Sequence, residues 1–106
     1  GAKAGIDPAL LVEIISSSSG FSRALANWSP GILKGNFAPG FYIDLLHKDV
    51  ALALDMARQQ GVRAIAAATA EQIIQEARAA GHGRDGTAGL IQPLEKNAGV
   101  QVRAKQ

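Results

Sequence analysis

The sequence predicts an all-α fold, and three observations carry that expectation. Hydrophobic residues make up 47% of the 106-residue chain but aromatics only 5%. Ala and Leu therefore dominate the apolar set, a balance that favours close-packed helices over a sandwich or barrel. Apolar residues recur at helical spacing, as in Leu10, Leu11, Ile14 and Ile15. Helix punctuation frames these runs, with Asp7-Pro8 at a start and Gly61 at a stop.

Taken in order, Gly1 to Gly5 reads as the tail of a helix ending at a glycine cap, as if an upstream body were missing. Asp7 is the N-cap and Pro8 the first residue of the next helix, which the serine run Ser16 to Ser19 ends by competing for backbone groups. A short helix is expected over Phe21 to Trp28, restarting at Ser29-Pro30 for a turn or two through Ile32 and Leu33. Gly35 to Gly40 is loop, anchored by Phe37. The longest helix runs from about Tyr42 to Gln60. A fourth, alanine-rich helix spans Ala64 to Ala80, with Ile73, Ile74 and Ala77 opposite Glu71, Gln75 and Glu76. Its small residues suit close approach to another helix. Gly81 to Gly86 is a break, and Thr87 to about Ala98 is a fifth helix, N-capped by Thr87 and kinked or shortened by Pro93. The expected organisation is one helical domain, 1–98, followed by a patternless, disordered tail, 99–106.

Composition excludes several functions. With no cysteine there are no disulfides or thiolate zinc sites, which fits a reducing, cytoplasmic setting. The net charge is only +2 and the charges are interleaved, so nucleic acid is not an expected partner. No apolar run approaches the ~18 residues of a membrane span. His47 and His82 lack a partner at a zinc spacing, so no metal site is expected. Gly81-His82-Gly83-Arg84-Asp85-Gly86 matches a dinucleotide fingerprint in letters alone. That fingerprint needs a strand before it, and here a helix precedes it.

One charge needs a reason. On a helical projection of the long helix, Asp49 falls inside a broad apolar arc, with Leu45, Leu52 and Met56 on one side and Leu46, Val50, Ala53 and Ala57 on the other. A carboxylate on a packing face is costly unless paired or hydrogen-bonded. Two readings stay open. Lys48 pairs with Asp44 on the surface while Asp49 caps another segment, or a neighbouring helix holds Asp49 and fixes Lys48 at a cleft containing an anion.

At Phe37 to Asp55, Phe-Ala-Pro-Gly-Phe-Tyr-Ile-Asp-Leu-Leu-His-Lys-Asp-Val-Ala-Leu-Ala-Leu-Asp, the sequence resembles a block of the β-hydroxyacid dehydrogenase family, F-x-P-x-F-x-x-x-x-x-x-K-D-L-x-L-A-x-D. That family includes 3-hydroxyisobutyrate dehydrogenase and tartronate semialdehyde reductase. Gly5-Ile6-Asp7-Pro8, Asn36-Phe37 and Gly81-His82-Gly83-x-Asp85 extend the likeness to roughly Ala2 to Ala98. The resemblance implies the helical C-terminal domain of an NAD- or NADP-dependent oxidoreductase of the 6-phosphogluconate dehydrogenase type, truncated at its N-terminus. Its substrate would be a small hydroxyacid or semialdehyde, and its helices would make homo-oligomer contacts. It also implies that Lys48 reaches the cofactor and the substrate end of the cleft, that Phe41 packs near the nicotinamide, and that Asp49 supports Lys48. The family's catalytic lysine and glycine fingerprint belong to upstream segments that this sequence lacks. Three departures stand out: Val50 for leucine, Gly61 to Ile65 without prolines, and Thr87-Ala88-Gly89 for a usual Ser-Ala. The rival reading is a free-standing helical interaction module without catalysis.

Overall fold

The computed structural model describes residues 1–105. Five α-helices follow one another: α1 (Pro8–Ser16), α2 (Arg23–Lys34), α3 (Ile43–Gln60), α4 (Ile65–Ala79) and α5 (Ile91–Ala98), the last preceded by a 3-10 turn over Thr87–Leu90. Among the described residues there is no strand, only an isolated antiparallel bridge between Tyr42 and Gly86. The all-α expectation holds.

The helix ends show why these segments form. Asp7 Oδ1 accepts from the Ala9 N–H at 3.1 Å, with Pro8 at the first helical position. At the other end of α1, the Ser17 hydroxyl donates to the Glu13 and Ile14 carbonyls and the Ser18 hydroxyl to Ile14. The serine run therefore closes the carbonyls a helix C-terminus leaves open. Gly35 and Gly61 end α2 and α3 in the left-handed region, at φ 68° and 67°.

Two boundaries differ from expectation. No break occurs at Ser29-Pro30; α2 runs through Pro30 as one helix, N-capped by the Ser22 hydroxyl, which accepts from Leu25 N–H at 3.0 Å. Phe21 lies outside it and is exposed. Because α2 packs against both α1 and the 3-10 turn, tertiary packing offsets the backbone bond lost at proline. The last helix is divided. Thr87 does not cap it; its hydroxyl, buried with the residue, donates to the Phe41 carbonyl at 2.9 Å. Pro93 then falls in the first turn of α5, where no N–H is needed, so the helix is shortened rather than kinked.

The most extensive contact is α3 against α4. Its core is small: Ile43, Ile74 and Ala77, with Leu46, Val50 and Leu90 packed around them. The radius of gyration is 15.0 Å, against about 13 Å for a compact chain of this length. Much apolar surface lies open, including Leu45, Leu52 and Met56 on α3 and Ile65 and Ile73 on α4.

Residues 99–105 lie against the helical body. Glu95, 8% exposed, pairs with Arg103 at 2.6 Å and accepts the Val102 N–H at 3.0 Å. Ala104 N–H donates to the Leu33 carbonyl, and Lys105 N–H to Asp7 Oδ1, each at 3.1 Å. A covered carboxylate demands such partners, which a pattern search along the chain does not register. Gln106 lies outside the described residues.

Candidate functional site on helix α3

Residues 81–86 form the seat on which α3 starts. The Ile43 N–H donates to the Asp85 carbonyl at 3.1 Å and the Asp44 N–H to the Gly83 carbonyl at 2.9 Å. The loop thus satisfies N–H groups that the first turn leaves orphaned. A phosphate-binding loop presents N–H groups to its ligand; this one presents carbonyls to a helix and follows α4. The glycine pattern is therefore an inter-helix seat. The same loop fixes the entry to α3, since Gly86 N–H donates to the Phe37 carbonyl at 3.0 Å.

Phe41 stands at that entry, 48% exposed as a residue and with its carbonyl held by Thr87. It lines a cavity of about 260 Å³ together with Trp28, Asn27 and Asn36. Lys48 follows seven residues later, about two helical turns, and is exposed. No ion pair engages Lys48 among the described residues. Its candidate partner, Asp44, accepts instead from Arg78 Nε of α4 at 2.8 Å. The surface Lys48–Asp44 pair of the bland reading is not formed.

Asp49 is not where the projection placed it. The apolar arc divides at this residue. Leu46, Val50, Leu54 and Ala57 turn inward, whereas Leu45, Leu52 and Met56 turn outward with Asp49 among them, and Asp49 is exposed. It has no desolvation cost to offset, and no hydrogen bond or ion pair joins it to Lys48 among the described residues. A helical wheel shows which residues share a side; it does not show which side a neighbour covers.

His47 is a packed and hydrogen-bonded side chain. Its Nε2 lies 2.8 Å from Glu71 Oε1, and its Nδ1 lies 3.1 Å from an Arg78 guanidinium nitrogen. The hydrogen bond from His47, a second from Gln72 and the positive charge of Arg78 hold the Glu71 carboxyl below its ordinary value of 4.5. Arg78 and Glu71 carry no local motif. The signal in sequence would have been their spacing on α4, which puts both on the edge facing α3.

A larger cavity, about 480 Å³, lies between His82, α5 and the tail, and neither Phe41 nor Lys48 lines it. There His82 Nδ1 lies 3.0 Å from Asp85 Oδ2, which also accepts from Gln92 at 2.8 Å. Among the described residues no group of three potential ligands could hold a metal ion. No helix of the described residues is long and apolar enough to cross a membrane.

The structure thus presents a helical body with an exposed aromatic at the entry to its longest helix and an exposed lysine on that helix. Residues 1–94 match the family model described as NAD-binding of NADP-dependent 3-hydroxyisobutyrate dehydrogenase. The 2-(hydroxymethyl)glutarate dehydrogenase of Eubacterium barkeri is 40% identical over the whole chain, which covers 36% of that protein. The 3-sulfolactaldehyde reductase of Escherichia coli is 33% identical over 89% of this chain and 32% of its own length. A crystal structure of 3-hydroxyisobutyrate dehydrogenase from Salmonella typhimurium superposes with a TM-score of 0.84 at 25% identity, covering 87% of this chain and 32% of that one. The chain belongs to the 3-hydroxyisobutyrate dehydrogenase family. It spans about a third of the length of these relatives.

Proposed function

We propose that this chain is the helical C-terminal part of an NAD(P)-dependent oxidoreductase acting on a small 3-hydroxyacid or 2-hydroxy-3-oxo acid, related in architecture to 6-phosphogluconate dehydrogenase-type enzymes. The observation that carries it is the family match over residues 1–94. An exposed lysine on the Lys-Asp helix and an exposed aromatic at its entry support the siting. The residues suit such a ligand chemically. Lys48 has no ion pair to break before it meets a phosphate or carboxylate, and the open Phe41 ring offers a face to a flat heterocycle. When bound, the dinucleotide supplies hydride transfer. This chain's part is to place a mobile positive charge and an apolar wall beside it. Asp49, the next residue along α3 and also exposed, supplies a supporting carboxylate once a second surface covers both.

The outward stripe Leu45, Leu52 and Met56 supplies the subunit contact, in keeping with a homo-oligomer. The siting is tested in the polypeptide that joins this chain to a dinucleotide-binding domain. Lys48→Ala should raise KM for NAD(P)H about tenfold, equivalent to ~1.4 kcal/mol. Unchanged KM and kcat would remove Lys48 from the site.

A further inference from the structure

The polar chain between α3 and α4 has a chemistry that the reading above leaves unused. A guanidinium only donates, so the Arg78 nitrogen 3.1 Å from His47 Nδ1 requires a lone pair on that ring nitrogen. The proton of the neutral imidazole then sits on Nε2, where Glu71 Oε1 accepts it at 2.8 Å. Turning the ring over would put carbon atoms against both partners. Arg78 is fixed in turn, since its Nε donates to Asp44 at 2.8 Å and its terminal nitrogen to Gln75 Oε1 at 2.8 Å. The result is an unbroken sequence of directional contacts, Asp44–Arg78–His47–Glu71. Asp44 and His47 belong to α3 and the other two to α4.

We propose that His47, locked as its Nε2–H tautomer, is a positioning residue for Lys48: it sets how α3 is rolled about its own axis. The proposal rests on the reading that Lys48 meets the dinucleotide. On the α3 projection the apolar anchors Ile43, Leu46 and Val50 form one edge of the covered strip. Asp44 and His47 form the other edge, between that strip and Lys48. Apolar contact is non-directional and tolerates a roll; a ring held at both nitrogens does not. The helix radius of ~2.3 Å plus an extended lysine puts the ammonium roughly 8 Å from the axis, so a roll of ~10° moves it about 1.5 Å. A displacement of that size is enough to spoil contact with a ligand held by another domain.

Two measurements test this. Nitrogen-15 NMR of the chain with labelled histidine should show His47 Nδ1 unprotonated and Nε2 protonated at neutral pH; the opposite tautomer overturns the proposal. In the two-domain polypeptide, His47→Leu should raise KM for NAD(P)H about fivefold, and should add nothing further in a Lys48→Ala background. An equal rise in both backgrounds means that His47 acts on stability alone, which overturns the positioning role and leaves Lys48 in the site. No effect of Lys48→Ala by itself removes Lys48 from the site and overturns the positioning role with it. If His47→Leu fails to fold, Arg78→Lys is read in its place with the same expectations, since it keeps the charge but cannot span both Asp44 and His47.

Discussion

Asp44 meets three demands at once. Its N–H donates to the Gly83 carbonyl, its carboxylate accepts from Arg78, and Gly83 leaves room for that carboxylate. A Cβ at Gly83 would press on the flexible Asp44 carboxylate, whereas one at Gly86 would stand 2.6 Å from the backbone oxygen of Ala38. Gly86→Ala should therefore lower Tm more than Gly83→Ala, by the equivalent of about 1–3 kcal/mol; thermal melts of the two variants check the order. Glu71 gives a pH prediction. Its folded-state pKa is depressed, so its stabilising contribution is complete above 4.5 and is lost as pH falls through the lower folded value. The Tm advantage of the wild type over Glu71→Gln should be largest near neutrality and shrink on acidification. An advantage that grew at low pH would contradict the His47–Glu71 bond.

At the scale of elements, α3 is positioned at its entry and along one face. The entry depends on two loop carbonyls and on the Thr87 hydroxyl; the face depends on Ile43, which has no exposed surface. Ile43→Ala should cost about 2–5 kcal/mol, because the cavity lies between two helices and the loop and cannot collapse freely. Thr87→Val keeps the shape and removes one donor, so it should cost only about 1 kcal/mol. Chemical denaturation of both variants tests this ratio. Thr87→Val should also loosen Phe41, whose carbonyl loses its partner, and faster amide exchange around Phe41 would report it.

For the whole molecule, the small core and the wide apolar surface belong together. Among the described residues only three apolar side chains are buried in the core, while Leu52 and Met56 are 60% and 66% exposed. Surface of that kind marks a contact with another body. If the stripe is a homo-oligomer contact, sizing of the chain should show a species larger than 11.0 kDa, and Leu52→Glu with Met56→Glu should return it to a monomer. A monomer in both cases would assign the stripe to another domain of the same polypeptide.

What the sequence by itself determined is what acts over a few residues. Asp7-Pro8, the serine run and Gly61 placed helix ends correctly because caps satisfy local backbone groups. The block from Phe37 to Asp55 carried the family likeness, since its spacing is a property of one helix and the short loop that enters it. Pro30 inside α2, the contacts of residues 99–105 with Glu95 and the exposure of Asp49 were decided only by tertiary structure. Each depends on which neighbour covers a surface, and periodicity carries no record of that. The same holds for His47. The fold alone decided that Arg78 and Glu71, 31 and 24 residues away, hold its two ring nitrogens.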